Sequence, residues 1–286
     1  MGVFINAFLR NRNSTDIDRR YCAREVPMKV IMLGFPRTGT ASLTSALRVL
    51  GYHHAYHGRD ALTFNPRDCE LWWKALQAKY NGKGKEFGRK EFDQLLGHCQ
   101  AVSDIPAICF AEELIAAYPN AKVILTVREV GEWQESVRKS IIQVIQDPFL
   151  YPMIFLDHLL FMPWRWVRPT ILKSRNVLWG DDFDKNGRKA FEEHYQKIQS
   201  MVPAERLLLY HVKEGWEPLC KFLGQPIPST SMINVNDTKE FNQRVLAKKV
   251  YHCTQYIVRI VEIAAYASLF TFLWAVLQGG KPLPWQ

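Results

Sequence analysis

Residues 28–50 read MKVIMLGFPRTGTASLTSALRVL, and this short stretch limits the chain more than any other. Met28 to Gly34 is an apolar run with β-branched residues that closes on glycine, the signature of a buried strand. From Thr40 to Leu50, the residues Ala41, Leu43, Ala46, Leu47 and Leu50 return at helical spacing. A strand, a tight turn and a helix in that order open a βαβ pattern. Such a strand has no solvated face, so the chain must supply helices to cover both sides of the sheet.

The rest of the chain meets that demand. Glu91–Leu96 has a helical pattern and Ala101–Asp104 a short strand pattern. Pro106 stands at a helix start, where its missing N–H costs nothing, and AICFAEELIAAY continues the helix to Pro119. Ala121–Val127 (AKVILTV) is a second buried strand and Gly131–Gln146 a helix. Gly187–Met201 is amphipathic, Arg206–Val212 (RLLLYHV) is a third core strand, and Trp216–Gly224 is a helix with a glycine stop. The expected fold is α/β, with a mostly parallel sheet flanked by helices and a C-terminal apolar helix.

Composition agrees. The 286 residues are 48% hydrophobic and 13% aromatic, which excludes a disordered chain. The net charge of +9 favours anionic partners, but the basic residues are dispersed and no basic–aromatic module is present, so nucleic acid is not expected. The six cysteines form no CxxC and no close pairs, which speaks against a zinc site or a disulfide framework and for a reducing, cytoplasmic setting. The N-terminus lacks a secretory signal pattern, because its apolar stretch runs straight into Arg10 and Arg12.

The turn itself carries chemistry. In Gly34-Phe35-Pro36-Arg37-Thr38-Gly39-Thr40-Ala41-Ser42, the glycines let successive amides point at one anion, and the helix N-terminus adds partial positive charge. Arg37 and the hydroxyls of Thr38, Thr40 and Ser42 add donors. The bland alternative is an ordinary strand-to-helix turn. Gly34 and Gly39 have the spacing of a nucleoside-triphosphatase loop, but Thr40 replaces its lysine and Ala41 follows where the magnesium hydroxyl belongs. ATP or GTP hydrolysis is therefore not expected, and the dinucleotide GxGxxG pattern fails as well.

Four segments in order resemble one family. GFPRTGTASL is similar to the P-loop of sulfotransferases that use PAPS (3′-phosphoadenosine 5′-phosphosulfate). AKVILTVREVGEWQESVRKS supplies Arg128 and Ser136 at the spacing of that family's 3′-phosphate site. RLLLYHVKEGWEPLCKFLG resembles its late strand and helix, with Tyr210 where a tyrosine approaches the adenine. INVNDTKEF resembles the segment that follows in a sulfotransferase-like branch found in fungi and invertebrates. The resemblance covers about Met28 to Phe241. It implies transfer of a sulfuryl group from PAPS, leaving PAP, without a metal. Arg37 would stabilise the bridging oxygen by charge alone, since a guanidinium is never a proton donor in proteins. Pro36, Arg37, Thr38, Gly39, Thr40, Ala41 and Ser42 would hold the 5′-phosphate, and Arg128, Ser136 and Tyr210 the rest of the nucleotide.

An acceptor hydroxyl needs a base. Asp104 in SDIP, His57 and His54 in GYHHAYHGRD are the candidates, and Asp104 reads equally as a helix cap. Trp133 reads as core, and Arg138 and Lys139 as a solvated face within reach of the 3′-phosphate. Phe149–Trp166 is apolar and aromatic, either a buried helix or the wall of an acceptor pocket, which would favour a lipophilic alcohol or phenol. The C-terminal stretch from Ile260 to Leu277 is a tail anchor or interfacial helix, a helix docked on the protein's own core, or an oligomer contact. The expected division is an arm over 1–27, a sulfotransferase-like domain over 28–245 and a membrane-associated helix over 246–286. The competing functional readings are sulfation-triggered elimination or cyclisation on the same fold, and a nucleotide-binding pseudoenzyme or membrane-tethered interaction protein.

Overall fold

The computed structural model describes residues 14–233 and 238–278. The first 13 residues of the expected arm, positions 234–237 of the fourth motif and the last eight residues lie outside the described residues.

Among the described residues, five strands form one parallel sheet: β1 (Val30–Met32), β2 (Ala55–His57), β3 (Ala101–Ser103), β4 (Lys122–Thr126) and β5 (Leu207–Tyr210). Their spatial order is β2-β3-β1-β4-β5. Leaving β1, the chain crosses to β2 and β3 on one side, then to β4 and β5 on the other. That reversal opens a crevice beyond the strands' carboxyl ends, the usual ligand position in such sheets.

Alternation along β1 and β4 sorts the core into two layers. Val30, Met32 and Ile124 face one side, where they meet Leu43 and Leu47 of α1 (Thr40–Val49). Ile31, Leu33, Val123 and Leu125 face the other. There they meet buried residues of α3 (Asp68–Asn81), α4 (Arg89–Leu96) and α5 (Ala111–Ala117), which follow the short α2 (Gly58–Thr63). Trp72 on α3 and Trp133 are the two fully buried tryptophans of that layer, and nothing in the sequence pattern marks α3. Residues 15–24 of the arm lie along this layer through Ile17 N to Asn65 Oδ1 (2.9 Å), Arg19 to Asp68 (3.2 Å) and the Arg24–Asp93 pair.

After β4 come α6 (Val130–Val137), α7 (Leu150–Leu159), α8 (Val167–Trp179) and α9 (Phe183–Met201), and after β5, α10 (Trp216–Leu223). The last helix, α11, runs unbroken from Thr238 to Leu277, across the boundary expected at 245/246. Its first half packs on the α/β body. Lys249 pairs with Asp147 at 2.7 Å, His252 stacks on Trp164 at 4.2 Å, and the Tyr256 hydroxyl donates to Asp157 at 2.7 Å. From Ile257 onward the helix leaves the body, and large apolar side chains at 257, 258, 260, 261 and 263 are all exposed.

The expectation for Phe149–Trp166 is corrected in part. Leu150, Met153, Leu160, Met162 and Trp164 are buried, but Phe149, Tyr151, Phe155, Leu159 and Phe161 are exposed. One face of α7 packs and the other is exposed among the described residues, so it is not a fully buried helix.

Gly34 closes β1 against β4. A Cβ there would lie 2.0 Å from Thr126 Oγ1 and 2.8 Å from the Thr126 amide nitrogen. Gly34→Ala is expected to destabilise the protein by about 2 kcal/mol or more through overpacking. Urea unfolding checks this, and adding Thr126→Ala should recover only part of the loss, because the backbone clash remains.

Candidate active site

The loop after β1 and the first turn of α1 form one wall of a cavity of about 730 Å³, within the range of small-molecule sites. Val127 and Arg128 after β4, and His211, Val212, Lys213 and Gly215 after β5, continue its rim, with Ser136 and Lys139 from the α6 side and Met232, Ile233 and Thr238 from the late chain. All three loops leave the carboxyl edge of the sheet.

The loop's shape is enforced from behind. Thr38 Oγ1 donates to Phe35 O at 2.6 Å and sits 2.5 Å from Thr126 Oγ1. Buried Trp133 donates its indole N–H to Pro36 O at 2.9 Å, so it is core and also a strut of the loop. Arg37 and Gly39 take positive φ, 73° and 105°. A Cβ on Gly39 would lie 2.4 Å from Val212 Cγ2, so glycine is required by both backbone and space. The turn ends on Thr40, where α1 begins and leaves first-turn amides without helical partners, facing the cavity.

Arg37 is clasped from three sides. Its Nε donates to Ser136 Oγ at 3.1 Å and its Nη2 to Thr238 Oγ1 at 3.2 Å, while its guanidinium lies 5.2 Å from the Phe241 ring centroid. Arg128 Nη1 donates to Arg37 O at 3.1 Å. Arg37, Arg128, Lys139 and Lys213 thus surround one hollow, tempered by Glu132 and Glu135. The positive excess and the amide cradle suit a multiply charged anion such as a nucleotide bisphosphate.

Behind Thr40 lies a buried histidine–aspartate pair. His57 ends β2, and Asp104 follows β3, its neighbour in the sheet. His57 Nδ1 lies 3.2 Å from Asp104 Oδ2, and His57 Nε2 lies 3.3 Å from Thr40 Oγ1. Gly58 permits this approach: a Cβ there would strike Ile105 O at 1.9 Å. Asp104 holds φ 67°, and its Oδ1 has no hydrogen-bond partner among the described residues. Burial, opposed by the Ile105 amide and by Arg59 and Arg37, pushes the Asp104 pKa from 3.8 up to about 6. Burial also holds His57 well below its ordinary 6.5, helped by Arg59, Arg48 and Arg244.

The Arg59 amide also reaches Nδ1, at 3.1 Å, so two states follow. With Asp104 protonated, the carboxyl O–H donates to Nδ1 and the ring proton stays on Nε2. With Asp104 ionised, Nδ1 carries a proton for the carboxylate once it releases the Arg59 amide; Thr40 O–H then donates to Nε2, which becomes a base.

Known proteins share this framework. A family model described as a sulfotransferase domain matches residues 29–241. The Ava biosynthesis cluster protein M of Aspergillus versicolor is 42% identical over 207 residues, covering 70% of this chain and 78% of that protein. The chain belongs to the sulfotransferase family. Membership brings a sulfonate donor and a small-molecule acceptor as the general terms of its chemistry.

Within this sulfotransferase domain, the structure sorts the sequence candidates. Arg37 to Ser42, Arg128 and Ser136 all line the cavity, and Pro36 lies just behind it. Tyr210 does not reach it. Its side chain is fully buried and donates to Gly215 O at 2.8 Å, bracing the loop whose His211, Val212 and Lys213 do line the cavity. His54 is excluded as a partner of the pair: it precedes β2 at the opposite edge of the sheet, exposed beside His53. Lys139 lines the cavity, whereas Arg138 turns outward to Asp184 at 2.6 Å. No residue of 149–166 lines this cavity, so the acceptor-wall expectation is not met there. Thr238 and Phe241 were missed as site residues, although the fourth motif ends on Phe241.

Asp104 supplies a stability test of the pair. Its folded pKa is raised, so its favourable contribution is present at low pH and is lost as pH rises through about 6. The rise from 3.8 to about 6 corresponds to up to about 3 kcal/mol. Asp104→Asn tolerates the positive φ and can still donate to Nδ1. It is expected to be more stable than wild type at about pH 8 and to converge with it near about pH 4. Thermal unfolding across pH checks the sign.

Proposed function

We propose that the protein transfers a sulfuryl group from PAPS to a hydroxyl of a lipophilic small molecule, while anchored to a membrane through the exposed half of α11. The observation that carries the reading is the joining of an anion cradle to a buried histidine–aspartate pair through one residue, Thr40, which belongs to both.

The residues fit the donor. On this reading the amides of Gly39–Ser42 and the side chain of Thr38 hold the 5′-phosphate, Arg128, Ser136 and Lys139 receive the 3′-phosphate, and Arg37 neutralises charge on the leaving oxygen. PAPS, when bound, supplies the activated sulfuryl group. His57 takes the acceptor's proton at Nε2 by way of the Thr40 hydroxyl, and Asp104 orients the ring and stabilises the imidazolium. Arg37 acts by charge and position, clamped in place by Ser136, Thr238 and Phe241.

The acceptor class is read from the surroundings. An 18-residue window of α11 has mean hydropathy 1.9 and none of it is buried in the protein. At 1.5 Å per residue it reaches about 27 Å, close to the ~30 Å of a bilayer core. A catalytic domain held at lipid meets acceptors that partition there. The similarity to a protein named for a biosynthesis cluster supports a small-molecule acceptor.

Isothermal titration with PAP tests the nucleotide site. Binding is expected, with Arg128→Ala weakening it roughly 10- to 100-fold, as for a charged hydrogen bond worth about 1.5–3 kcal/mol. No heat, or heat unchanged in the variant, overturns the assignment. Incubation with PAPS and lipophilic alcohols, followed by mass spectrometry, tests transfer itself.

The pair sets a pH dependence. Sulfuryl transfer is expected to fall as pH drops through about 6, because protonated Asp104 leaves the ring proton on Nε2. Asp104→Asn should depress the rate at all pH values and flatten that limb, which a pH–rate profile reads directly.

A further inference from the structure

The exposed half of α11 is apolar at successive positions, so no single stripe faces a partner. Ile260, Val261, Ile263, Tyr266, Leu269, Phe270, Phe272, Leu273 and Trp274 lie on every side of the helix and all are exposed. A protein groove covers one side of a helix, whereas acyl chains cover all of them.

Where that stem leaves the body, a second apolar feature stands beside it. α7 runs alongside the packed half of α11 and in the same direction: Asp147 meets Lys249, Met153 O accepts from Tyr256, and Leu160 O accepts from Arg259 Nε at 3.4 Å. The end of α7 is therefore level with Arg259, at the root of the stem. There the chain turns on Phe161, whose backbone has φ 50° and whose ring is 74% exposed. A bulky side chain in the left-handed region and in water is doubly unfavourable. Leu159 is exposed beside it, and Arg259, paired with Glu262 at 3.1 Å, places a charged pair at the same level. Buried Asp157 locks the corner to the stem: it accepts from Trp164 Nε1 at 2.8 Å, from the Tyr256 hydroxyl at 2.7 Å, and from Arg168.

We infer that the Leu159–Phe161 corner is a second membrane contact, seated at the headgroup–acyl boundary of the bilayer that the stem enters. The inference rests on the anchor reading of α11 and adds an orientation to it. With the corner and the stem tied through Asp157, the domain stands on the membrane in one pose. α7 rises away from the lipid, and Tyr151 at its far end, ten residues or about 15 Å up the helix, stays in water.

The test uses the full chain with Cys22→Ser and Cys253→Ser, since the other four cysteines are buried. A bimane probe is placed singly by Phe161→Cys, Tyr151→Cys or Phe270→Cys, and each protein is reconstituted in dioleoylphosphatidylcholine or its dibrominated analogue. Probes at 161 and 270 are expected to lose more than half their emission in the brominated lipid, and the probe at 151 almost none. Quenching at 270 with none at 161 overturns the corner contact and leaves the anchor standing. Quenching at 151 equal to that at 161 overturns the pose. No quenching at 270 overturns the anchor reading and the corner with it. Emission at 161 that follows protein concentration but not lipid bromination assigns the corner to a second copy of the chain instead, and also overturns the proposal.

Discussion

Thr126, at the end of β4, presses its backbone and hydroxyl against Gly34 while the same hydroxyl meets Thr38 Oγ1 at 2.5 Å. This contact sets how far the loop stands off the sheet. Trp133 then holds Pro36 from α6, and Val212 closes on Gly39 from the loop after β5. Three elements thus converge on a turn that makes few bonds within itself. Within the loop, the Thr38 amide and hydroxyl both donate to Phe35 O, while much of the remaining rigidity comes from neighbours. The result is a turn whose shape its neighbours fix, as the proposed anion cradle requires.

The same first turn of α1 is tied to the dyad side of the sheet. Thr44 bonds Thr40 O at 2.8 Å and Ser103 Oγ at 2.9 Å, and Ser103 precedes Asp104. Cradle and dyad therefore shift together or not at all. Burial drives both dyad members toward neutrality, Asp104 upward and His57 downward, which brings a carboxyl into the range where a neutral-pH enzyme can use it. On the proposed reading, the low polarity that makes the pair costly to ionise is also what makes Nε2 responsive to the state of Asp104.

Much of this was legible in the sequence because it was local. The strands over Val30–Met32, Lys122–Thr126 and Leu207–Tyr210, the helix from Thr40 and the glycine-bearing loop between them each announce themselves within about ten consecutive residues. The dyad was half legible: His57 and Asp104 were both candidates, offered as rivals. Their union depends on β2 pairing with β3, a long-range parallel contact between strands of three residues, and nothing in either segment encodes the register. Tyr210 lies off the cavity for a related reason. A one-residue difference along β5 sends a side chain into the core while His211 beyond the strand goes to the rim, and strand alternation cannot be phased from RLLLYHV alone. The Phe149–Trp166 segment misled because apolarity reports a wish to leave water, not which apolar phase accepts it.

Helix α11 brings these parts under one element. Its first residue, Thr238, holds Arg37, and three residues later Phe241 lies against the same guanidinium. Its middle is bolted to the body through Lys249, His252 and Tyr256, and its last turns stand free. A helix transmits displacement along its axis with little loss, since every turn is bonded to the next. The residue proposed to neutralise the leaving oxygen is therefore mechanically continuous with the segment proposed to enter lipid. A pull on the stem is opposed first at Asp157, where Tyr256, Trp164 and Arg168 converge, and reaches Arg37 only if that node gives way. On the proposed reading, this node ties the body to the stem in one orientation, and Asp157, which does not line the cavity beside Arg37, serves that joint alone.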